Sequence, residues 1–225
     1  MEAPSRQRTS SSSANTKQWQ TGQQLEQLVL LYWALSAILG GVFLYDWITA
    51  WNVGATLGNP WLVASLVSTW LLSQIVYMLV ARHDDRPFRW KPTVLFALGN
   101  GICETFAFAL VYRLGSVIGV TLMSLFLVQF ADITGFLVGS LFFVIYGGLI
   151  HGLFWIKLLP PHFDDSPQSR RLRRFRPLIE TALVLSWTLC FWLYNDIWTV
   201  AGFHILVDFV LMFRVRPPLF AGLGR

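Results

Sequence analysis

Apolar residues run along this chain in blocks of about 20, separated by short polar segments that hold most of the charge. Blocks of that length suit helices crossing a hydrocarbon core ~30 Å thick. They cover residues 28–51, 61–81, 92–113, 178–194 and 197–213. The apolar-out, polar-in alternation of a transmembrane barrel is absent. The pattern predicts an all-α, polytopic transmembrane helical bundle.

Residues 116–158 need a separate argument. They hold a single acidic residue, Asp132, and no Lys or Arg before Lys157. One helix of that length would measure ~65 Å, about twice the membrane. The segment is therefore expected to break near residues 131–135, with 116–130 re-entrant or lying along the interface. Four segments are basic: the N-terminal tail, 82–91, 160–176 with five arginines, and 214–225. The positive-inside rule places all four on the cytoplasmic side only if 116–158 crosses an odd number of times. About six crossings follow, plus the re-entrant or interfacial helix, with both termini cytoplasmic. Residues 1–26 are polar and Ser-rich, which predicts a disordered tail. Residues 27–214 form one transmembrane domain, and 215–225 form a short C-terminal tail.

Composition sharpens the class. Only 13% of residues are charged, against about a quarter in soluble domains, and 55% are hydrophobic. The formal charge of +5 gathers at span ends and in loops, so it speaks for topology and lipid contact and not for nucleic acid. Cys103 and Cys190 both lie inside apolar spans and read as small core residues.

The candidate chemistry is the set of ionisable residues inside the spans. His204 and Asp208 stand four apart on the last span and therefore share a helix face. Each costs ~2.5–3.5 kcal/mol at mid-span on insertion scales, so the pair calls for an internal partner. Measured along their helices from the basic end, Glu104 lies ~18 Å in, His151 ~10 Å, His204 ~14 Å and Asp208 ~8 Å. That similarity of depth predicts one polar cavity shared by all four. A carboxylate there suits proton transfer from water to a leaving group, and a His–Asp pair suits donation to a developing oxyanion. Asn100, one turn before Glu104, is placed to hold the water. The same side chains could instead hold a divalent metal such as Zn²⁺ or Mn²⁺, although no His-Glu-x-x-His signature is present.

Three stretches carry a resemblance. GICETFAFALVYRLG around Glu104, YGGLIHGLF around His151 and DIWTVAGFHILVDF around His204 and Asp208 resemble the three motifs of the CAAX-processing and bacteriocin-processing (CPBP) intramembrane endopeptidases. Those motifs are Glu-Glu-x-x-x-Arg, Phe-x-x-x-His, and His-x-x-x-Asn or Asp. The third is intact here. In the first, Cys103 stands at the place of the leading Glu and Phe108 at that of the Arg. In the second, Tyr146 lies five residues before His151, and Gly147 holds the motif position.

The resemblance implies an intramembrane protease that cuts a hydrophobic or prenylated peptide. Glu104 would activate water with help from His151, while His204 and Asp208 polarise the scissile carbonyl. Tyr146 and Asn100 would position substrate or water. The departures leave two other functions open. One is a catalytically silent scaffold of the same fold that binds a membrane protein or a pigment. The other is a small transporter or proton relay built on the same buried acids.

Overall fold

The computed structural model describes residues 10–150, 163–217 and 219–224. Among these the architecture is all helical. Six helices are long and apolar enough to cross a membrane, which makes the protein an integral, multi-pass helical bundle.

The first helix, α1, spans Ser10–Phe43, and a bend at Leu44 leads into the short α2 (Tyr45–Ala50). The sequence reading of 1–26 as a disordered tail differs from Ser10 onward, where the chain is already helical. Residues 10–21 contain neither Gly nor Pro, so a helix nucleated in the apolar span extends back through them. Trp51 adopts a left-handed conformation and ends α2. A single turn, α3 (Val53–Leu57), precedes α4 (Pro60–Val80). The Asn59 side chain caps α4 by accepting from the Leu62 N–H, and Pro60 sits at the first helical position, where no N–H is needed.

Helix α5 (Trp90–Ser124) is the axis of the bundle and packs against α1, α6 and the last helix. Its 35 residues correspond to about 52 Å. The expected re-entrant or interfacial segment at 116–130 is not present as a separate helix. Residues 116–124 continue α5, and the break comes at 125–130, ahead of α6 (Ala131–Leu149). Small residues explain the continuity. A Cβ on Gly119 would lie 2.7 Å from the Thr134 carbonyl oxygen, and one on Gly135 would lie 2.5 Å from Val120 Cγ2. The two backbones are therefore in contact, as in membrane helix pairs built on small residues four apart. At the apex Leu125, Phe126 and Val128 are exposed.

After a short α7 (Pro167–Leu172), helices α8 (Arg176–Tyr194) and α9 (Ile197–Arg214) form a hairpin. Asn195 takes the left-handed conformation that Asn tolerates well. Asp196 then caps α9, accepting from the Trp198 and Thr199 N–H groups at 3.0 and 3.1 Å. This turn fixes where α9 begins, and hence the level of His204 two turns on.

The basic segments gather at one end, called the basic end below. The Asp84 N–H donates to the Arg214 carbonyl (3.1 Å), the Asp164 N–H to that of Val80 (2.9 Å), and the Phe220 N–H to the Glu26 carboxylate (2.7 Å). At the opposite end Arg113 donates to Asp46 at 2.6 Å, and Asn52 Nδ2 donates to the Tyr194 carbonyl at 2.6 Å. Between the two ends lies an aromatic core that includes Phe108, Tyr112, Phe143, Trp187 and Phe191.

Candidate functional site

The site forms where α5 and α9 cross, and glycine sets how closely they approach. A Cβ on Gly101 would stand 2.8 Å from both the Cα and the N of Ile205. On the other side of Asn100, a Cβ on Gly99 would stand 2.4 Å from Trp33 Cζ3. Gly99 therefore makes room for an indole, and Gly101 for a backbone. Gly101 lies three residues from Glu104 and Gly99 five, and the Glu104 side chain is buried, as are those of His204 and Asp208.

Glu104, His204 and Asp208 meet. Nε2 of His204 lies 3.3 Å from Glu104 Oε2 and 3.7 Å from Asp208 Oδ2. Asn100 Nδ2 joins the same two oxygens, at 2.7 Å from Glu104 Oε2 and 3.0 Å from Asp208 Oδ2. The orientation of that amide is fixed by Trp33, whose Nε1 donates to Asn100 Oδ1 at 2.9 Å. An indole nitrogen can only donate, so the atom it faces is the oxygen, and the NH₂ group points at the carboxylates. Asn100, expected to hold a water, is instead a bridge between two acids. Its reach is used by three side chains.

Thr105 decides the state of the imidazole. Its Oγ1 lies 2.6 Å from the Gly101 carbonyl oxygen and 3.1 Å from His204 Nδ1. A hydroxyl has one proton, and the carbonyl, a pure acceptor, takes it. The hydroxyl oxygen therefore accepts from His204, and Nδ1 carries hydrogen. In the neutral ring Nε2 would then be a bare lone pair facing two carboxylate oxygens. The three atoms consequently hold at least one proton among them, on Nε2 or on an acid. Phe108 stacks on the imidazole with centroids 5.5 Å apart, and Trp187 lies 5.2 Å away, tilted by 41°.

A cavity of about 300 Å³ opens beside this cluster. Glu104, His204 and Asp208 line it, and it runs past Gln74 and Tyr77 of α4 and Trp187 of α8 to Arg176 and Glu180. Arg176 and Glu180 are paired, and the Arg176 guanidinium also covers the rings of Tyr77 and Phe163, at 5.6 and 4.8 Å from their centroids.

Of the six candidate residues, the structure brings together Glu104, His204, Asp208 and Asn100. Tyr146 lies one ring further out: its ring meets that of Phe108 with centroids 6.0 Å apart, and its hydroxyl donates to that of Tyr32 on α1 at 3.5 Å. Residue spacing alone could not show this, because α1 supplies the partner. His151 lies outside the described residues. Among the described residues no group of three or more His, Cys, Asp and Glu side chains is arranged to hold a metal ion. The chemistry agrees: a cation where Oε2 and Oδ2 meet would face the amide N–H groups of Asn100. Trp33, Thr105 and Trp187 were not singled out in the sequence. Trp33 carried a signal, since it sits mid-span and membrane tryptophans favour the interfaces.

Arg113 is no substitute for the arginine of the resemblance. Besides Asp46, it donates to the Phe43 carbonyl at 2.8 Å and lies 5.3 Å from the centre of the Trp47 ring. The hydrogen bond from Arg113 holds the Asp46 carboxyl below the usual carboxylate range. Compared with known proteins, the chain matches no family model, no curated protein and no solved structure.

Proposed function

We propose that the protein is an intramembrane hydrolase of the endopeptidase type, related in chemistry to the CPBP enzymes it resembles. One observation carries the reading: two acids and an imidazole from two helices share hydrogen-bonding space at the wall of a cavity within the membrane span. In this scheme Glu104 takes a proton from water as the water oxygen attacks a peptide carbonyl carbon. The C–N bond then breaks, and Glu104 returns the proton to the departing nitrogen. His204 and Asp208 hold the further proton that offsets the charge developing on the carbonyl oxygen. His151, if it follows the resemblance, assists Glu104.

The test is hydrolysis of apolar peptides by the full chain in lipid nanodiscs. Glu104→Gln should abolish cleavage without releasing bound peptide. Cleavage that survives the substitution removes this assignment of the base.

A second reading rests on Phe108. Its ring occupies the motif position of the arginine and covers one face of His204. A scaffold that holds a membrane peptide or partner without turning it over would use the same cavity. Peptide bound and recovered intact by the wild type would favour this reading.

A further inference from the structure

Three buried polar groups in the cavity wall have no partner among the described residues: Trp187 Nε1, Gln74 Oε1 and the Tyr77 hydroxyl. Those of Trp187 and Gln74 sit on side chains more than nine-tenths buried. Both residues line the cavity, Trp187 from α8 and Gln74 from α4, two helices also joined by the Thr69–Ser186 hydroxyl contact at 2.9 Å. Leaving such groups unpaired forfeits their hydration with nothing in return. The core offered the fold simpler choices at both positions, since Phe and Leu already fill neighbouring sites in the same walls.

Their chemistry is complementary. An indole N–H is only a donor, and Gln74 Oε1 is only an acceptor. A ligand that satisfies both must bring one acceptor and one donor into an otherwise apolar space. A peptide group does so with its C=O and N–H. An ester, a ketone or an unmodified prenyl chain lacks the N–H. Trp187 is also the group beside His204, so a carbonyl bound to its N–H is held next to the acidic cluster.

We propose that Trp187 and Gln74 are the substrate-reading residues of this cavity, binding an extended peptide segment through the C=O and N–H of its backbone. This assigns the substrate contacts of the hydrolase proposed above and rests on that reading for its consequence in catalysis, but not for its test. Tyr77, whose hydroxyl is likewise without a partner, lies nearer the Arg176 end and can serve a flanking peptide group as donor or acceptor.

The test measures binding alone, by displacement of a fluorescent peptide from the full chain in nanodiscs on a Glu104→Gln background. The probes are a capped apolar peptide and a set of depsipeptides in which each N–H in turn is replaced by oxygen. One replacement should weaken binding about five- to tenfold in the presence of Gln74 and have no effect in Gln74→Leu. Trp187→Phe, which keeps a ring against His204, should weaken all the probes by a similar factor. Gln74→Leu should not lower the thermal midpoint of the empty protein, because it removes a buried acceptor that has no partner among the described residues.

Equal affinity for every probe in the parent, or no binding of any, overturns the proposal. So does a depsipeptide preference that persists in Gln74→Leu. The probe series on the parent protein needs no cavity variant, so a misfolded substitution cannot decide the result. A wild type that binds with the stated preference and never cleaves would reject the hydrolase and keep the binding site.

Discussion

Gly101 and Ile205 touch through their backbones, and that contact holds Glu104 within reach of His204. The side chains three residues further along α5 and one residue back along α9 are level because nothing stands between the helices at this point. The acidic cluster is thus a product of helix packing as much as of its own hydrogen bonds.

Gly101→Ala should separate the helices. Backbone cannot yield as a side-chain tip would, so the added methyl is expected to cost about 1–3 kcal/mol. Thermal unfolding in detergent measures the loss. The proposed peptide hydrolysis should fall further than stability does, because Glu104 and His204 are pulled apart. A variant with normal activity would disconnect the glycine from the site.

Asn100 should be irreplaceable by residues of similar size. Asn100→Leu strips both carboxylates of a donor and leaves the Trp33 indole unpaired, at a cost of about 2–4 kcal/mol. Trp33→Phe removes both the donor to Asn100 Oδ1 and the indole ring packed over Gly99, and should cost about 1–3 kcal/mol. Since the two residues share a bond, a double-mutant cycle should return coupling of about 1 kcal/mol. Additive effects would show that the Trp33–Asn100 bond carries no weight.

Thr105 is expected to set the imidazole tautomer. In Thr105→Val the Nδ1 hydrogen loses its acceptor, while Thr105→Ser retains one. Nitrogen chemical shifts of labelled His204 should report Nδ1–H in the wild type and in the serine variant. In the valine variant the hydrogen should shift toward Nε2, with the proposed turnover reduced about tenfold or more. An unchanged spectrum would mean that another group orients the ring.

The Asp46–Arg113 pair makes a prediction about acid stability. The Asp46 carboxyl is held below its ordinary value by the hydrogen bond from Arg113. Its contribution is therefore present above the unfolded carboxylate pKa and is lost as pH falls through the lower folded value. Both side chains are substantially exposed, so the effect is small. Asp46→Asn should flatten the acid limb of a stability–pH curve and leave the proposed hydrolysis unchanged. A large change in activity would tie the opposite end of the bundle to the site.

Much of this arrangement was legible in the letters. Apolar blocks marked the membrane helices, because a hydrocarbon solvent leaves little freedom in length or polarity. The i, i+4 spacing of His204 and Asp208 placed both on one face, and counting residues put Glu104 near their level. What the letters hid was identity of contact across helices. Nothing in the spacing says that Trp33 of α1 reaches Asn100, or that Tyr146 turns to Tyr32. Those contacts depend on how α1 leans against α5, which is decided by glycines whose role shows only in three dimensions. The stretch from 116 to 124 misled for a related reason. Length alone argued for a break, while Gly119 and Gly135 allow an unbroken helix to lie directly on its neighbour.

The long hairpin of α5 and α6 has a mechanical consequence for the surrounding bilayer. From Leu114 to Ala131 the chain carries no charge, and Leu125, Phe126 and Val128 at the apex are bare. A rod of about 52 Å does not fit upright in an oil layer of ~30 Å. Either it leans steeply or the acyl chains stretch to wet its tip, and each adjustment costs a fraction of a kcal/mol per Å. The apolar spans of α1, α4 and α9 are 18–21 residues long, so wherever the hairpin stands upright the lipid beside it is thicker than the lipid beside those helices.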